Sequence, residues 1–399
     1  MSKNANVEEY EFFIDPEESL KEFDRIMEEE NKIRIQKERQ IAKTKEELTS
    51  SPRVIKEYLD KHIVGQEYAK RILAVAAYNH QKIIKNPRLR IEKSNIMMIG
   101  PSGCGKTYMI KVLADILNVP YVIVSSTSMT ANGYAGEDAE SALVRLYRKA
   151  YNQANNCCCE EERVMMAKAR AENGIVFIDE IDKKAVRRSD VTSRDVCGES
   201  VQQALLKLVE GTTVSLQGTA DCHMGDPILL NTKNILFIVS GAFEGLDKII
   251  SKRLGNNGSS INLLGGNRLE KLASYNQLID DVVSEDVRQF GMLQEFVGRF
   301  PVICPMHLLT EEEIVKILTE PENSIVEQYQ KLMEIDHVKL VFEDAALKEV
   351  AKNSMRNNTG ARGLRNQMEK VLLDTMYNSV GDKKGSVVVI TAEDVRKAS

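Results

Sequence analysis

Residues Gly100-Pro101-Ser102-Gly103-Cys104-Gly105-Lys106-Thr107 carry the spacing G-x-x-x-x-G-K-[ST]. Glycines so placed let the main chain curl until successive N–H groups and a helix N-terminus face an anion. Lys106 then supplies a point charge for outer phosphates, and the Thr107 hydroxyl a ligand for Mg²⁺. With Tyr108 behind it, the octet implies binding of a nucleoside triphosphate such as ATP. A second signal is Ile175-Val176-Phe177-Ile178-Asp179-Glu180, an apolar run that ends in two carboxylates. Asp179 is placed to hold Mg²⁺ and Glu180 to polarise an attacking water in phosphoryl transfer. Asp182 reads as peripheral. Cys104, a thiol inside the octet, is expected to make the site sensitive to oxidation or alkylation.

Such groups work only if elements hold them. Ile96–Ile99 precedes the octet as a strand should, and Met109, Ile110, Val112, Leu113, Ile116 and Leu117 follow it at helical spacing. Strand-like runs at Asn95–Ile99, Tyr121–Ser125, Ile175–Ile178 and Ile235–Val239 alternate with helical stretches. That alternation predicts an α/β domain, a parallel sheet with flanking helices, over residues 52–308. Residues 150–173 read as a helical excursion and 255–267 as a polar surface loop. After Pro305 the texture changes. Thr310-x-x-Glu313 is a capping box, followed by a strand at Val338–Phe342, two helical patterns and a closing strand at Val387–Ile390. A small helix-rich α+β domain is therefore expected over 309–399. Residues 1–51 are charged and helix-favouring, and fit either a partner-docking arm or a solvated tail.

Composition narrows the classes. The 399 residues are 43% hydrophobic and 28% charged, ordinary for a globular protein. The chain has no Trp and only 6% aromatics, which argues against a carbohydrate- or base-stacking surface. The net charge of −5 resides in residues 1–50, with 9 Lys/Arg against 14 Asp/Glu; the remainder balances. No basic domain is present to grip nucleic acid. No apolar run reaches membrane-spanning length, and the acidic start is unlike a signal peptide. The seven cysteines (Cys104, Cys157, Cys158, Cys159, Cys197, Cys222, Cys304) form no C-x-x-C pair, so reduced thiols in the cytoplasm are expected.

Further blocks carry a resemblance. They are Tyr58-Leu59-Asp60-Lys61-His62-Ile63-Val64-Gly65-Gln66, Asn118-Val119-Pro120, Gly133-Tyr134-Ala135-Gly136-Glu137-Asp138, Val201 through Thr212, Glu295-Phe296-Val297-Gly298-Arg299 and Thr359-Gly360-Ala361-Arg362-Gly363-Leu364-Arg365. With the two nucleotide signals, residues 52–399 resemble the AAA+ ATPases, and among them the ClpX family of ATP-dependent protein unfoldases. The resemblance implies a P-loop NTPase large domain followed by an AAA+ lid domain, assembled as a homohexamer. It implies that Ile63 and Val64 pack the adenine, with main-chain groups of Gly65 and Gln66 reading its edge. Arg299 is implied to reach the neighbouring subunit's γ-phosphate, and Arg362 to sense nucleotide from the small domain. Ser240 falls near a polar first-sensor position. The loop Gly133-Tyr134-Ala135-Gly136 is implied to line a central pore and grip unfolded or tagged protein substrates through the Tyr134 ring.

The chain departs from the family in three places. Residues 1–51 hold no cysteine, so the four-cysteine zinc domain usual in bacterial members is missing from them. The stretch Leu216–Leu230 holds His223 but no Arg or Lys, unlike the usual basic entrance loop. Ile261-Asn262-Leu263-Leu264 only partly matches the Ile-Gly-Phe-type tripeptide that docks on a ClpP-type peptidase. A remodelling ATPase without a peptidase therefore stays open. A HslU-type unfoldase, a nucleic-acid motor and a non-hydrolysing scaffold fit less well. No nucleophile–base set for peptide cleavage is found.

Overall fold

Four of the five strands at the centre of the molecule are almost continuous apolar runs, because a parallel sheet is covered on both faces. The computed structural model describes Glu47 and residues 49–88, 91–129, 139–154, 157, 159–186, 196–216, 227–255, 268–357, 360–379 and 386–398. The chain divides into two compact units, Met1–Leu48 and Thr49–Ser399. Glu47 is the one described residue of the first.

In the second unit β1 (Ile96–Ile99), β2 (Tyr121–Ser125), β3 (Ile175–Asp179), β6 (Leu236–Gly241) and β7 (Val302–Pro305) form a five-stranded sheet in the order β2-β3-β6-β1-β7. Every pairing is parallel, with Ile96 opposite Ile238 and Val302, and Tyr121 opposite Ile175. All carboxyl tips therefore lie along one edge, where ligands of open α/β sheets bind. β1 and β6 are buried at every position, as are the first four residues of β3. Helices including Lys106–Leu117, Ser141–Gln153 and Val196–Glu210 accompany the sheet, and side chains such as Phe237, Phe296 and Tyr147 complete its core. The expected excursion at 150–173 takes in the last turn of helix Ser141–Gln153 and the whole of helix Glu160–Glu172.

Three strands are not foreseen from the sequence. β7 is one, and the antiparallel hairpin of β4 (Thr213–Leu216) with β5 (Ile228–Asn231) supplies the others. All are four residues long, and β7 ends in proline, too short for periodicity to register.

The C-terminal portion has its own core around Leu318, Val350, Leu364 and Leu372. Its first helix, Glu311–Thr319, opens on the expected box: Glu313 N donates to Thr310 Oγ1 at 3.1 Å, and Thr310 N donates to Glu313 Oε2 at 2.8 Å. The strands β8 (Lys339–Phe342) and β9 (Val387–Ile390) pair in parallel. The connection into this portion is pinned residue by residue. Gln66 Nε2 donates to His307 O and accepts from His307 N through Oε1, both at 2.9 Å. Asn276 does the same to Leu308, accepting at 2.8 Å and donating at 3.2 Å. Among the described residues no helix is long and apolar enough to cross a membrane.

Candidate nucleotide site

The octet leaves β1 at Ile99 and enters the helix Lys106–Leu117. Gly105, its N-cap, sits at φ 96°, and Gly103 at φ 80°, the left-handed region that glycine occupies at least cost. Gly100 is required for another reason: a Cβ there would lie 2.6 Å from Met306 Cβ. Lys106 is nearly buried, and its Nζ donates to Gly100 O at 2.6 Å and Pro101 O at 2.8 Å. A buried ammonium needs partners, and the loop's own carbonyls supply them where phosphate oxygens can take over. Cys104 corrects an expectation. The residue is buried and burial pushes its thiol pKa up, so it lacks the exposed thiolate that reactive cysteines present.

Two carboxylates meet this loop from β3. Asp179 Oδ2 accepts from Thr107 Oγ1 at 3.3 Å, while its Oδ1 accepts from Ser240 Oγ at the tip of β6 and from Glu180 N at 2.9 Å. Glu180 holds φ 62°, a costly conformation for a residue with a side chain. Its Oε1 pairs with Lys183 at 2.8 Å, and its Oε2 accepts from Ser125 at 3.1 Å and Thr127 at 3.5 Å. The Lys183 ammonium holds the carboxyl below its ordinary pKa range against a smaller opposing effect of burial, and Ser125 adds to the lowering. Glu180 is thus a charged carboxylate whose oxygens are already engaged. Asp182 is not peripheral. It lines the same cleft, burial raises its pKa, and its Oδ2 accepts from Phe243 N at 3.3 Å. Gly241 fits beneath it because a Cβ there would lie 2.4 Å from Asp182 Oδ1.

The cleft encloses about 640 Å³, ample for a nucleotide. Ser102 to Tyr108, Asp179 and Glu180 form one side, Ile63 and Val64 another, and Ile317, Ile325 and Arg362 of the C-terminal portion a third. The third wall is attached directly to the octet: Ala361 N donates to Gly103 O at 3.1 Å. On the second wall Gly65, at φ 66°, lies against Glu313, whose Oε1 would be 2.4 Å from an added Cβ. The capping glutamate and the loop at residues 63–66 therefore touch.

Most residues singled out from the sequence converge here. Gly100 and Pro101 lie beneath the cleft and hold Lys106 rather than line it. Arg299 lies elsewhere. It precedes β7, its carbonyl accepts from Asn95 Nδ2 at 3.0 Å, and its guanidinium pairs with Glu210 at 2.9 Å. That is the amino end of the sheet, about 13 Å of strand from the octet. Gly133-Tyr134-Ala135-Gly136, His223 and Ile261–Leu264 lie outside the described residues. Lys183, Ile317, Ile325 and Gln328 border the cleft without having been singled out. Only Lys183, three residues after Glu180, left a trace in the sequence.

Comparisons with known proteins agree in coverage and kind. The AAA domain (Cdc48 subfamily) profile matches residues 91–303, and the C-terminal, D2-small domain of ClpB protein matches 309–390. The ATP-dependent Clp protease ATP-binding subunit ClpX of Treponema denticola is 40% identical over 358 residues, 88% of this chain and 82% of the relative. Those of Borrelia duttonii and Borrelia recurrentis are 41% identical over 358 residues, 86% of this chain and 78% of each relative.

Proposed function

The chain belongs to the ClpX family of AAA+ ATPases, and from that premise we propose that its ATP hydrolysis unfolds and threads protein substrates, driven from the cleft between β1, β3 and the turn at 360–363. The observation that carries the reading is the convergence of Lys106, Thr107, Asp179 and Glu180 on one wall with Arg362 opposite. Lys106 exchanges the carbonyls of Gly100 and Pro101 for phosphate oxygens. Thr107 and Asp179 present a hydroxyl and a carboxylate side by side, a donor set that fits Mg²⁺, which takes few protein ligands and keeps water and phosphate for the rest. Bound there, Mg²⁺ neutralises charge on the transferring phosphoryl group. Glu180 lets go of Lys183 and the two hydroxyls to orient the attacking water. Arg362 reaches the nucleotide from the C-terminal portion, so nucleotide state and the angle at His307–Leu308 change together.

Arg299 acts on the cleft of the next subunit in a ring, a hexamer by family precedent. Its position at the far end of the sheet supports this, because it cannot serve its own cleft. Tyr134 grips the threaded chain, and Ile261–Leu264 docks a ClpP-type peptidase; both rest on sequence alone. Work in the cytosol is part of the same reading, supported by Cys104 and Cys304 being free thiols.

The test compares wild type with Glu180→Gln and Tyr134→Ala in ATPase and in unfolding of a tagged fluorescent protein, with and without a ClpP-type peptidase. Glu180→Gln retains ATP binding and loses hydrolysis by at least about a hundredfold. Tyr134→Ala hydrolyses ATP but unfolds poorly, and undiminished unfolding would remove the threading role. Unfolding without degradation when the peptidase is added favours the remodelling reading. ATPase stimulated by DNA or RNA and not by unfolded protein overturns both.

A further inference from the structure

Lys70 is 2% exposed, and its ammonium lies beneath the loop that forms the base side of the cleft. Its three donors are fully used. Nζ lies 2.5 Å from Asp60 Oδ1 and 2.6 Å from Glu67 Oε1, and it donates to Ile63 O at 3.2 Å. The other oxygens of the same two carboxylates each lie 2.7 Å from Lys56 Nζ. Two lysines and two carboxylates thus close a ring that joins helix Pro52–His62 to helix Glu67–Lys85. The contact that leaves the ring for the intervening loop is the one to Ile63.

That contact bears on a single peptide plane. The carbonyl of Ile63 and the N–H of Val64 belong to one planar trans unit and point in opposite directions. Holding the oxygen on Lys70 therefore fixes the direction of the Val64 N–H. Ile63 has no polar group left to offer, since its own N–H donates to Leu59 O at 2.9 Å. Val64 lines the cleft, and its main chain takes no hydrogen bond among the described residues. Adenine presents an acceptor, N1, next to a donor, the exocyclic amine; guanine presents the reverse order on the same edge. A main-chain N–H and C=O set at a fixed angle tells the two apart, whereas a peptide free to flip accepts either.

We propose that Lys70 is a specificity-determining positioning residue, which selects adenine over guanine by locking the Ile63–Val64 peptide plane. The inference rests on the reading of Ile63 and Val64 as the base side of the cleft. Its carboxylate partners suit the task. Glu67 is largely exposed and both remain paired with Lys56, so removing the Lys70 charge strands no buried anion.

The test titrates the full chain with ADP, GDP and inorganic pyrophosphate by calorimetry. Lys70→Met is expected to weaken ADP about tenfold, with pyrophosphate affinity unchanged and the GDP/ADP ratio of Kd values falling by the same factor. Lys70→Arg, which keeps charge and donors, retains the ratio. Glu67→Gln loosens the ring but leaves the Ile63 contact, and it too retains the ratio. Should Lys70→Met fail to fold, Lys70→Gln, whose shorter amide falls short of Ile63, is expected to show the same fall. A ratio unchanged in the neutral variants overturns the inference while leaving the base-side reading intact. A wild type that binds ADP and GDP equally removes that reading, and the inference with it.

Discussion

A buried lysine and a partly buried one sit at opposite ends of one sheet, each donating to a pair of main-chain carbonyls, and they do different work. At the carboxyl tips Lys106 holds Gly100 O and Pro101 O and faces a cleft with Asp179 and Glu180 on its wall. At the amino end Lys93 holds Thr232 O and Ile235 O, both at 2.8 Å, with its Nζ 4.7 Å from the centre of the Phe237 ring. Burial pushes Lys93 down to about 7. Chemistry of the side chain is the same in both places. What separates them is what lies beyond the carbonyls: for Lys106 an open space where an anion can replace its partners, for Lys93 packed aromatic core. A lysine in a P-loop is therefore held loosely on purpose, by partners that a phosphate can outbid, while the lysine at the far end acts as a staple.

The largest effect tests whether the two ends cooperate between subunits. Arg299→Ala should lower ATPase by about a thousandfold, the scale of a missing arginine finger, without weakening ATP binding. Mixing it with Glu180→Gln subunits should restore part of the activity, because each supplies what the other lacks. No restoration would place Arg299 outside any neighbour's cleft.

A smaller effect concerns the cleft end alone. Gln66→Leu removes both bonds to His307, so hydrogen exchange at the His307 amide should accelerate about tenfold, with nucleotide Kd changed less than about twofold. Unchanged exchange would mean that Asn276 alone orders the connection.

The smallest isolates the staple. Lys93 titrates near 7 when folded and near 10.5 when unfolded, so between those values the unfolded chain carries the extra proton. Stability of the wild type relative to Lys93→Met should then rise with pH, by about 1 kcal/mol from pH 7 to pH 8, as read by chemical denaturation. A flat difference would show that Lys93 stays charged in place and weaken the contrast with Lys106.

Much of the site is legible because its groups are local. The octet and Asp179–Glu180 each sit within a few residues of a strand end, and parallel strands carry their tips to one edge. The partners that hold them are not legible. Gln66 meets His307 across 241 residues, and Gly65 needs its missing side chain only because Glu313 arrives from another helix. Cys104 misleads for the same reason: its place in the octet suggests a thiol beside phosphates, but the turn buries it. Asp182, dismissed as peripheral, is drawn in by the β6 tip and by Phe243.

Local sequence was enough for the chemistry available, namely a glycine-rich loop with its lysine and hydroxyl, two carboxylates after an apolar run, and a capping box opening the second core. Spacing along the chain suffices for these, since each depends on neighbours within one turn or one strand. Folding in three dimensions was needed to settle which end of the sheet Arg299 occupies, how Lys70 and Gln66 brace the loop at residues 63–66, and that Glu180 rests on Lys183, Ser125 and Thr127. Apart from Lys183 and Lys70, whose partners lie within ten residues, those are contacts between distant segments, and their energies depend on distances and burial that no local pattern encodes.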